Sequence, residues 1–296
     1  MPENLPPQAE RLLRPSQLRG LLRERGIKLR RSWGQHFLVD RATLVHILEA
    51  ILELSPAQVV EVGAGVGTLT CALAPHVEKL WAVEVDRRLI PLLAESVGPW
   101  PQVEIIQADF LTLPWNQFGD RALVVGNLPY RITSPVLLRL LRARPPGAVF
   151  LIQWEVGEKL VAPPGPEASR LGTHLRAYYR LELLRRVPNT VFFPPPEVDA
   201  ALIRLQRLPA PLITAPPEAF ERTLALLFQA RRKTIRRALA SLLPLPEVDA
   251  LLSQLGLDPR RRGETLDLEE LDRLASALAP RLLTPADGGA PREDSK

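Results

Sequence analysis

Val59-Val-Glu-Val-Gly-Ala-Gly-Val-Gly-Thr-Leu-Thr-Cys-Ala-Leu-Ala74 begins as an apolar strand, turns on three closely spaced glycines and continues as a helix. A short apolar run that stops at glycine has the pattern of a strand covered on both faces. Gly63, Gly65 and Gly67 carry no Cβ, so the backbone there can turn tightly and approach a bound group. The spacing departs from the dinucleotide form Gly-x-Gly-x-x-Gly, whose third glycine would fall at Thr68.

Outward from this unit the alternation repeats. Strands are predicted over Leu80–Glu84, Val103–Gln107, Ala122–Gly126 and Ala148–Gln153, and helices over Arg41–Leu54, Arg87–Val97 and Ser134–Arg142. Such alternation argues an α/β fold with a mostly parallel, doubly wound, Rossmann-like sheet. Two more strand-like runs, Leu181–Val187 and Ala200–Gln206, flank Val191-Phe-Phe-Pro-Pro-Pro196. That segment can be neither helix nor central strand, because proline has no amide hydrogen. After Leu208-Pro-Ala-Pro211 the composition changes, and Glu218–Leu243, Glu247–Leu255 and Leu268–Leu278 read as helices. Near the start, residues 1–15 read as loose and Pro15–Arg25 as a short basic helix. The expected organisation is a basic, partly flexible segment over 1–29, a sheet domain over 30–206, a small all-α domain over 207–282 and a disordered tail over 283–296.

No apolar run approaches the roughly 18 residues of a membrane span, and the first residues lack a secretory pattern. A single cysteine, Cys71, excludes an internal disulfide framework and fits a reducing compartment, so a cytoplasmic protein is expected. His46, His76 and His174 are scattered without ligand spacing, and no metal site is expected. The net charge of +5 is concentrated in runs such as Arg231-Arg-Lys-Thr-Ile-Arg-Arg237 and Arg260-Arg-Arg262, which points to a polyanionic partner.

Two acids refine the glycine loop. Glu84 closes the second predicted strand about twenty residues on, where a carboxylate accepts the hydroxyls of a ribose. Asp109, in Gln107-Ala-Asp-Phe110, closes the third, where it can accept the exocyclic amine of an adenine. A glycine loop, a ribose acid and an adenine acid, without the third phosphate-cradling glycine, suit S-adenosyl-L-methionine better than NAD. The fourth strand ends in Asn127-Leu128-Pro129-Tyr130. The Asn127 side-chain carbonyl and the Leu128 backbone carbonyl can each accept a hydrogen of a planar amine, which draws its delocalised lone pair toward an incoming methyl. Pro129 stiffens the turn, Tyr130 can stack on a flipped base, and Phe192 is a candidate second aromatic wall.

In order along the chain, Gly34-Gln-His-Phe-Leu38, Glu61-Val-Gly-Ala-Gly-Val-Gly-Thr-Leu-Thr70, Asn127-Leu-Pro-Tyr130, Phe192-Phe-Pro-Pro-Pro-Glu-Val-Asp199, Phe228-Gln-Ala-Arg-Arg-Lys-Thr-Ile-Arg-Arg-Ala-Leu239 and Arg262-Gly-Glu264 resemble the signatures of one family. It is the ribosomal RNA small-subunit adenine N6-dimethyltransferases (KsgA/RsmA). The resemblance runs from about Arg30 to Leu274. It implies a methyltransferase sheet followed by a helical RNA-binding domain, and dimethylation of N6 on two adjacent adenosines near the 3′ end of small-subunit rRNA. The implied partner is that rRNA within an assembling 30S subunit, met by a monomer.

By the same resemblance Gln35, His36, Leu38, Glu61, Gly63, Gly65, Gly67, Glu84, Asp109 and Asn127 bind the methyl donor, while Tyr130 and Phe192 flank the target base. Arg231, Arg232, Lys233, Arg236 and Arg237 are the implied RNA contacts. Departures from the family pattern are Trp154 for a usual Lys, Ala168-Ser169 for Tyr-Gly, and Ala200 for Ser. The rival readings are a large-subunit (23S) rRNA adenine dimethylase of the macrolide-resistance type and an RNA-binding assembly factor with weak catalysis. Leu128 in place of the middle proline of Pro-Pro-Tyr-like turns argues against DNA and protein-amide targets.

Overall fold

The structure, a computed structural model, describes residues 4–29, 34–230 and 232–283. The predicted strands over 59–63, 122–126 and 148–153 are apolar at nearly every position and are buried along almost their whole length, whereas those over 103–107 and 181–187 carry charged residues and are partly exposed. Strands β1 (Phe37–Leu38), β2 (Gln58–Val62), β3 (Lys79–Glu84), β4 (Val103–Gln107), β5 (Ala122–Asn127), β6 (Gly147–Gln153), β7 (Tyr179–Val187), β8 (Phe192–Phe193) and β9 (Ala200–Arg207) occur in the first of two compact units. Seven of them form one sheet in the order β4-β3-β2-β5-β6-β9-β7. The first five run parallel, and β9 is antiparallel to both β6 and β7. The order reverses between β2 and β5, so a crevice opens there beyond the strands' carboxyl ends, where doubly wound sheets bind ligands.

Helices α1 (Pro7–Leu12), α2 (Pro15–Glu24), α3 (Arg41–Leu52), α4 (Thr68–Leu73), α5 (Ile90–Val97), α6 (Thr133–Ala143) and α7 (Trp154–Val161) accompany the sheet. The stretch read as loose is ordered from residue 4 onward. Leu5, Ala9, Leu12, Leu13, Leu18, Leu22 and Ile27 all join the core cluster of α3, α4 and α5. Their spacing keeps apolar side chains on one side of each short helix, and that burial fixes a segment whose prolines and arginines suggest mobility. Glu95 on α5 pairs with Arg25 at 2.8 Å and with Arg11 at 3.9 Å. A two-stranded ladder sets Phe37 against Phe193 and Leu38 against Phe192.

The second unit is discontinuous in sequence: it joins Ala162–Ala177 to the chain from Pro211 onward, so the expected boundary at 207 leaves out one of its pieces. It holds α8 (Arg170–Arg176), α9 (Pro217–Gln229), α10 (Ile235–Leu239), α11 (Leu245–Gln254) and α12 (Leu268–Leu282). The single helix expected over 218–243 is two. Ala230 leaves helical geometry at φ −101°, ψ 33°, and Thr234 starts α10 by accepting the Arg237 amide on its side chain. Asp267 and Glu270 form a reciprocal capping box on α12. Buried Asp272 on the same helix accepts the amides of Thr214 and Ala215 at 2.9 and 2.8 Å. No helix among the described residues is long and apolar enough to cross a membrane.

Candidate active site

The crevice beyond β2 and β5 is lined by the glycine loop, Glu84 and Asp109 together with Gly34–Leu38, Asn127 and Pro129. Gly63, Gly65 and Gly67 take φ of +75°, +60° and +94°, which side chains other than glycine's rarely adopt. A Cβ on Gly65 would stand 3.0 Å from the Phe37 ring, a close approach that the missing atom eases. Gly67 has a different role: a Cβ there would meet Leu93 of α5 at 3.0 Å, and this glycine does not line the crevice.

Glu84, 6 % exposed, accepts the Gly65 amide on Oε2 at 2.8 Å and the Asp86 amide on Oε1 at 2.7 Å. Burial raises its pKa despite those donors. Each oxygen keeps a second lone pair, which suits it to accept a pair of hydroxyls. Glu61 lies deeper and accepts the Thr70 hydroxyl at 2.6 Å. Burial, with a smaller push from Glu84, raises its pKa to about 8, so it is mostly protonated at neutral pH. Exposed Asp109 caps a short 3-10 turn by accepting the Leu111 amide on Oδ1 at 2.9 Å. Thr68 is a residue that sequence reading used only to reject a dinucleotide loop. Its hydroxyl is buried beside the crevice and has no hydrogen-bond partner among the described residues.

Gly126 lets β5 reach the crevice, since a Cβ there would stand 2.5 Å from the Val62 carbonyl oxygen. The next side chain, Asn127, donates Nδ2 to the His36 carbonyl at 2.8 Å. This bond fixes the amide's orientation and leaves Oδ1 as the free acceptor. Buried Leu128 donates its amide to the Leu151 carbonyl at 3.0 Å, so what it offers the site is backbone. Pro129 packs against Gly34, where a Cβ would come within 3.1 Å of the proline's own. Tyr130 is half-buried beside the crevice. Its ring stacks on His36 at 6.3 Å and 29°, its hydroxyl donates to the Val198 carbonyl at 3.3 Å, and burial pushes its pKa up to about 12. His36 Nδ1 in turn donates to the Pro194 carbonyl at 2.7 Å. The proline-rich loop is thus hung by two carbonyls on two rings of the site.

Gln35 is held by a residue that sequence reading missed. Asp86, 3 % exposed, accepts Gln35 Nε2 at 2.7 Å and is gripped by Arg88 at 2.9 and 2.6 Å. Arg88 also donates to the Lys28 carbonyl at 3.0 Å. The only signal along the chain was the Glu-Val-Asp spacing after the third strand. Phe192 does not line the crevice: it is 4 % exposed and packs in the core cluster, with its backbone paired to Leu38.

Of the departures, Trp154 and Ala200 lie in the first unit, and Ala168 and Ser169 in the second. Ser169 accepts the Gly172 amide at 2.9 Å as the cap of α8. Ala200 is buried in β9 between Gln153 and Val187.

The expected RNA contacts belong to the second unit. Arg231 lies outside the described residues. Arg232, Lys233 and Arg237 are exposed, whereas Arg236 is engaged by Asp249 through two hydrogen bonds of 2.6 and 2.8 Å. In the other basic run Arg260 pairs with Asp258 and Arg261 with Glu270.

Comparison with known proteins agrees with this geometry. The family described as ribosomal RNA adenine dimethylase matches residues 26–279. The ribosomal RNA small subunit methyltransferase A of Bacillus mycoides (strain KBAB4) is 36 % identical over 280 residues, which are 89 % of this chain and 96 % of the relative. The crystal structure of the 23S rRNA methyltransferase ErmE is 30 % identical, with a TM-score of 0.65 over 83 % of this chain and 99 % of that one. A dimethyladenosine transferase from Plasmodium falciparum shares the fold at a TM-score of 0.72 and 22 % identity, covering 83 % of this chain and 98 % of the other. The glycine loop, the strand-end acids and the oriented Asn127 therefore sit in a chain that belongs to the ribosomal RNA adenine dimethylase family.

Proposed function

We propose that this enzyme dimethylates N6 of two adjacent adenosines near the 3′ end of small-subunit rRNA, during assembly of that subunit, with S-adenosyl-L-methionine as donor. The observation that carries the reading is the Asn127 amide. Its nitrogen is committed to the His36 carbonyl, so its oxygen stands ready to accept an amine hydrogen beside the crevice. The 36 % identity to a protein named for the small subunit supports this target over the large-subunit alternative that ErmE represents.

The residues present fit the donor. Glu84 would take the ribose hydroxyls, Asp109 the adenine amine, and the Thr68 hydroxyl, without a partner among the described residues, the amino-acid end, beside a glycine loop whose Gly63 and Gly65 take left-handed backbone angles. S-adenosyl-L-methionine supplies a methyl already activated on a sulfonium. The protein therefore needs no strong base, and positioning and electrostatics carry the rate. Asn127 Oδ1 and the Leu128 carbonyl draw the amine toward tetrahedral geometry. Tyr130 stays a neutral phenol and offers its ring to the flipped base, steadied by His36 and Val198. Arg232, Lys233 and Arg237 would contact RNA phosphates.

Incubation with labelled S-adenosyl-L-methionine and unmethylated subunits, followed by nucleoside analysis, tests the reading. Dimethyladenosine is expected in small-subunit rRNA; its appearance only in large-subunit rRNA would give the site to the rival target. Asn127→Ala is expected to lower methyl transfer by roughly 10²–10³-fold while RNA binding persists. Equal rates in mutant and wild type would remove Asn127 from the chemistry.

A further inference from the structure

The carboxyl edge of the sheet carries more than the catalytic turn. From β5 the strand order continues β6, β9, β7. Along that edge lie Asn127 ending β5, Trp154 directly after β6, Asp199 directly before β9, and Arg186 near the end of β7. Asn127 pairs with Leu151, three residues before Trp154, while Gln153 pairs with Ala200 and Arg186 with Ala201, so Trp154, Asp199 and Arg186 gather at one end of β6, β9 and β7, about 10 Å beyond Asn127 along the strand direction. Neighbouring strands are about 4.8 Å apart, so β6, β9 and β7 stand roughly 5, 10 and 14 Å across the edge from β5, and it is Tyr130, reaching out from the end of β5, that spans the gap.

These side chains are tied together. The Trp154 amide donates to the Asp199 carbonyl at 3.0 Å, and the Arg186 guanidinium carbon lies 5.0 Å from the centre of the Trp154 ring. Asp199 accepts Arg186 Nε on Oδ2 at 2.8 Å and the Asn189 amide on Oδ1 at 3.0 Å. Tyr130 joins the group through its hydroxyl bond to Val198, the residue before Asp199. None of Trp154, Arg186 and Asp199 lines the crevice assigned to the methyl donor. The Arg186 side chain is nevertheless 59 % exposed, although an indole and a carboxylate hold it in place. A guanidinium carried on an aromatic ring and fixed by a carboxylate is a preorganised planar cation. Single-stranded RNA is gripped by such groups: bases stack on guanidinium planes and phosphates meet the charge.

We propose that Arg186, seated on Trp154 and tethered by Asp199, is the stacking platform for the unpaired nucleotide next to the target adenosine. The inference rests on the RNA-methylating reading above and assigns the neighbour a place while Tyr130 faces the base being modified. It also accounts for Trp154 where the family pattern has lysine: the positive charge comes from Arg186, and the ring holds it.

The test measures KM and kcat of wild type, Arg186→Gln, Trp154→Ala and Trp154→Phe on unmethylated small subunits, and again on subunits reconstituted with an abasic nucleotide beside the target. Arg186→Gln and Trp154→Ala are expected to raise KM for the subunit roughly tenfold, with KM for S-adenosyl-L-methionine unchanged and Trp154→Phe close to wild type. The abasic substrate should cost wild type a similar factor and cost Arg186→Gln almost nothing further. An abasic penalty equal in wild type and Arg186→Gln would overturn the platform, as would an unchanged subunit KM in both Arg186→Gln and Trp154→Ala. Wild type inactive on small subunits would instead remove the functional reading. Matching thermal melts of the variants verify that folding is intact.

Discussion

Glu61 and Asp86 are both buried carboxyls, yet they sit at opposite ends of the carboxylate titration scale because of what each can bond to. Asp86 has the Arg88 guanidinium on both oxygens, which holds its pKa down to about 2. Its ionised form stabilises the fold at pH above its unfolded pKa of about 3.9, and that contribution disappears as pH falls toward 2. Glu61 has one hydroxyl donor and no cation, and its pKa rises to about 8. The sign is reversed: the fold favours the protonated acid, so its contribution is complete below the unfolded pKa of about 4.3 and is lost as pH climbs toward 8. Glu61→Gln, which keeps an acceptor for Thr70 but cannot ionise, is expected to flatten the fall in melting temperature of the donor-free protein between about pH 5 and pH 8. Calorimetric scans of both proteins across that window check it, and parallel curves would show that Glu61 stays ionised throughout.

Among the elements, the strands were the most legible. Buried parallel strands announce themselves as apolar runs, and Glu84, Asp109 and Asn127 could be placed because each ends or directly follows such a run. What stayed hidden depended on partners distant in sequence. The bond that orients Asn127 comes from a carbonyl 91 residues away, and the one that neutralises Arg236 from an acid 13 residues on. Helix α7 was missed because its start, Trp154-Glu-Val-Gly, follows the strand without a turn residue, and α8 because it covers only seven residues. At the start of the chain Pro15–Arg25 reads as a helix and is α2, but α1 lies in a stretch that reads as loose: composition shows prolines and arginines, whereas burial depends on the spacing of a few leucines. Leu18 on α2 is fully buried, and Leu18→Ala is expected to lower stability by about 2–5 kcal/mol through a cavity under that helix. Urea unfolding measures it; a change under half a kcal/mol, on the order of a surface substitution, would favour the expectation that residues 1–29 are partly flexible.

For the molecule as a whole, a net charge of +5 conceals a division between cations paired with carboxylates and cations left exposed. Arg236, Arg260 and Arg261 have carboxylate partners, while Arg232, Lys233 and Arg237 are exposed. Neutralising those three is expected to reduce the salt dependence of RNA binding, by about 0.7–0.9 in log–log slope for each phosphate that is no longer neutralised. Arg236→Gln should leave the slope nearly unchanged. Equilibrium binding across a salt series separates the two, and an unaltered slope in the triple variant would assign that face to ordinary solvation. The division of the chain matters in another way, for anyone cutting the gene. Because Ala162–Ala177 belongs with the helices that begin after Pro211, no single cut yields either unit whole. A fragment beginning at 207 would lack α8 and strip Phe220 of the His174 ring packed on it at 5.8 Å. The same interleaving imposes an order on synthesis: the piece that completes the second unit leaves the ribosome first and waits, exposed, while β7 and β9 are still being added to the other unit.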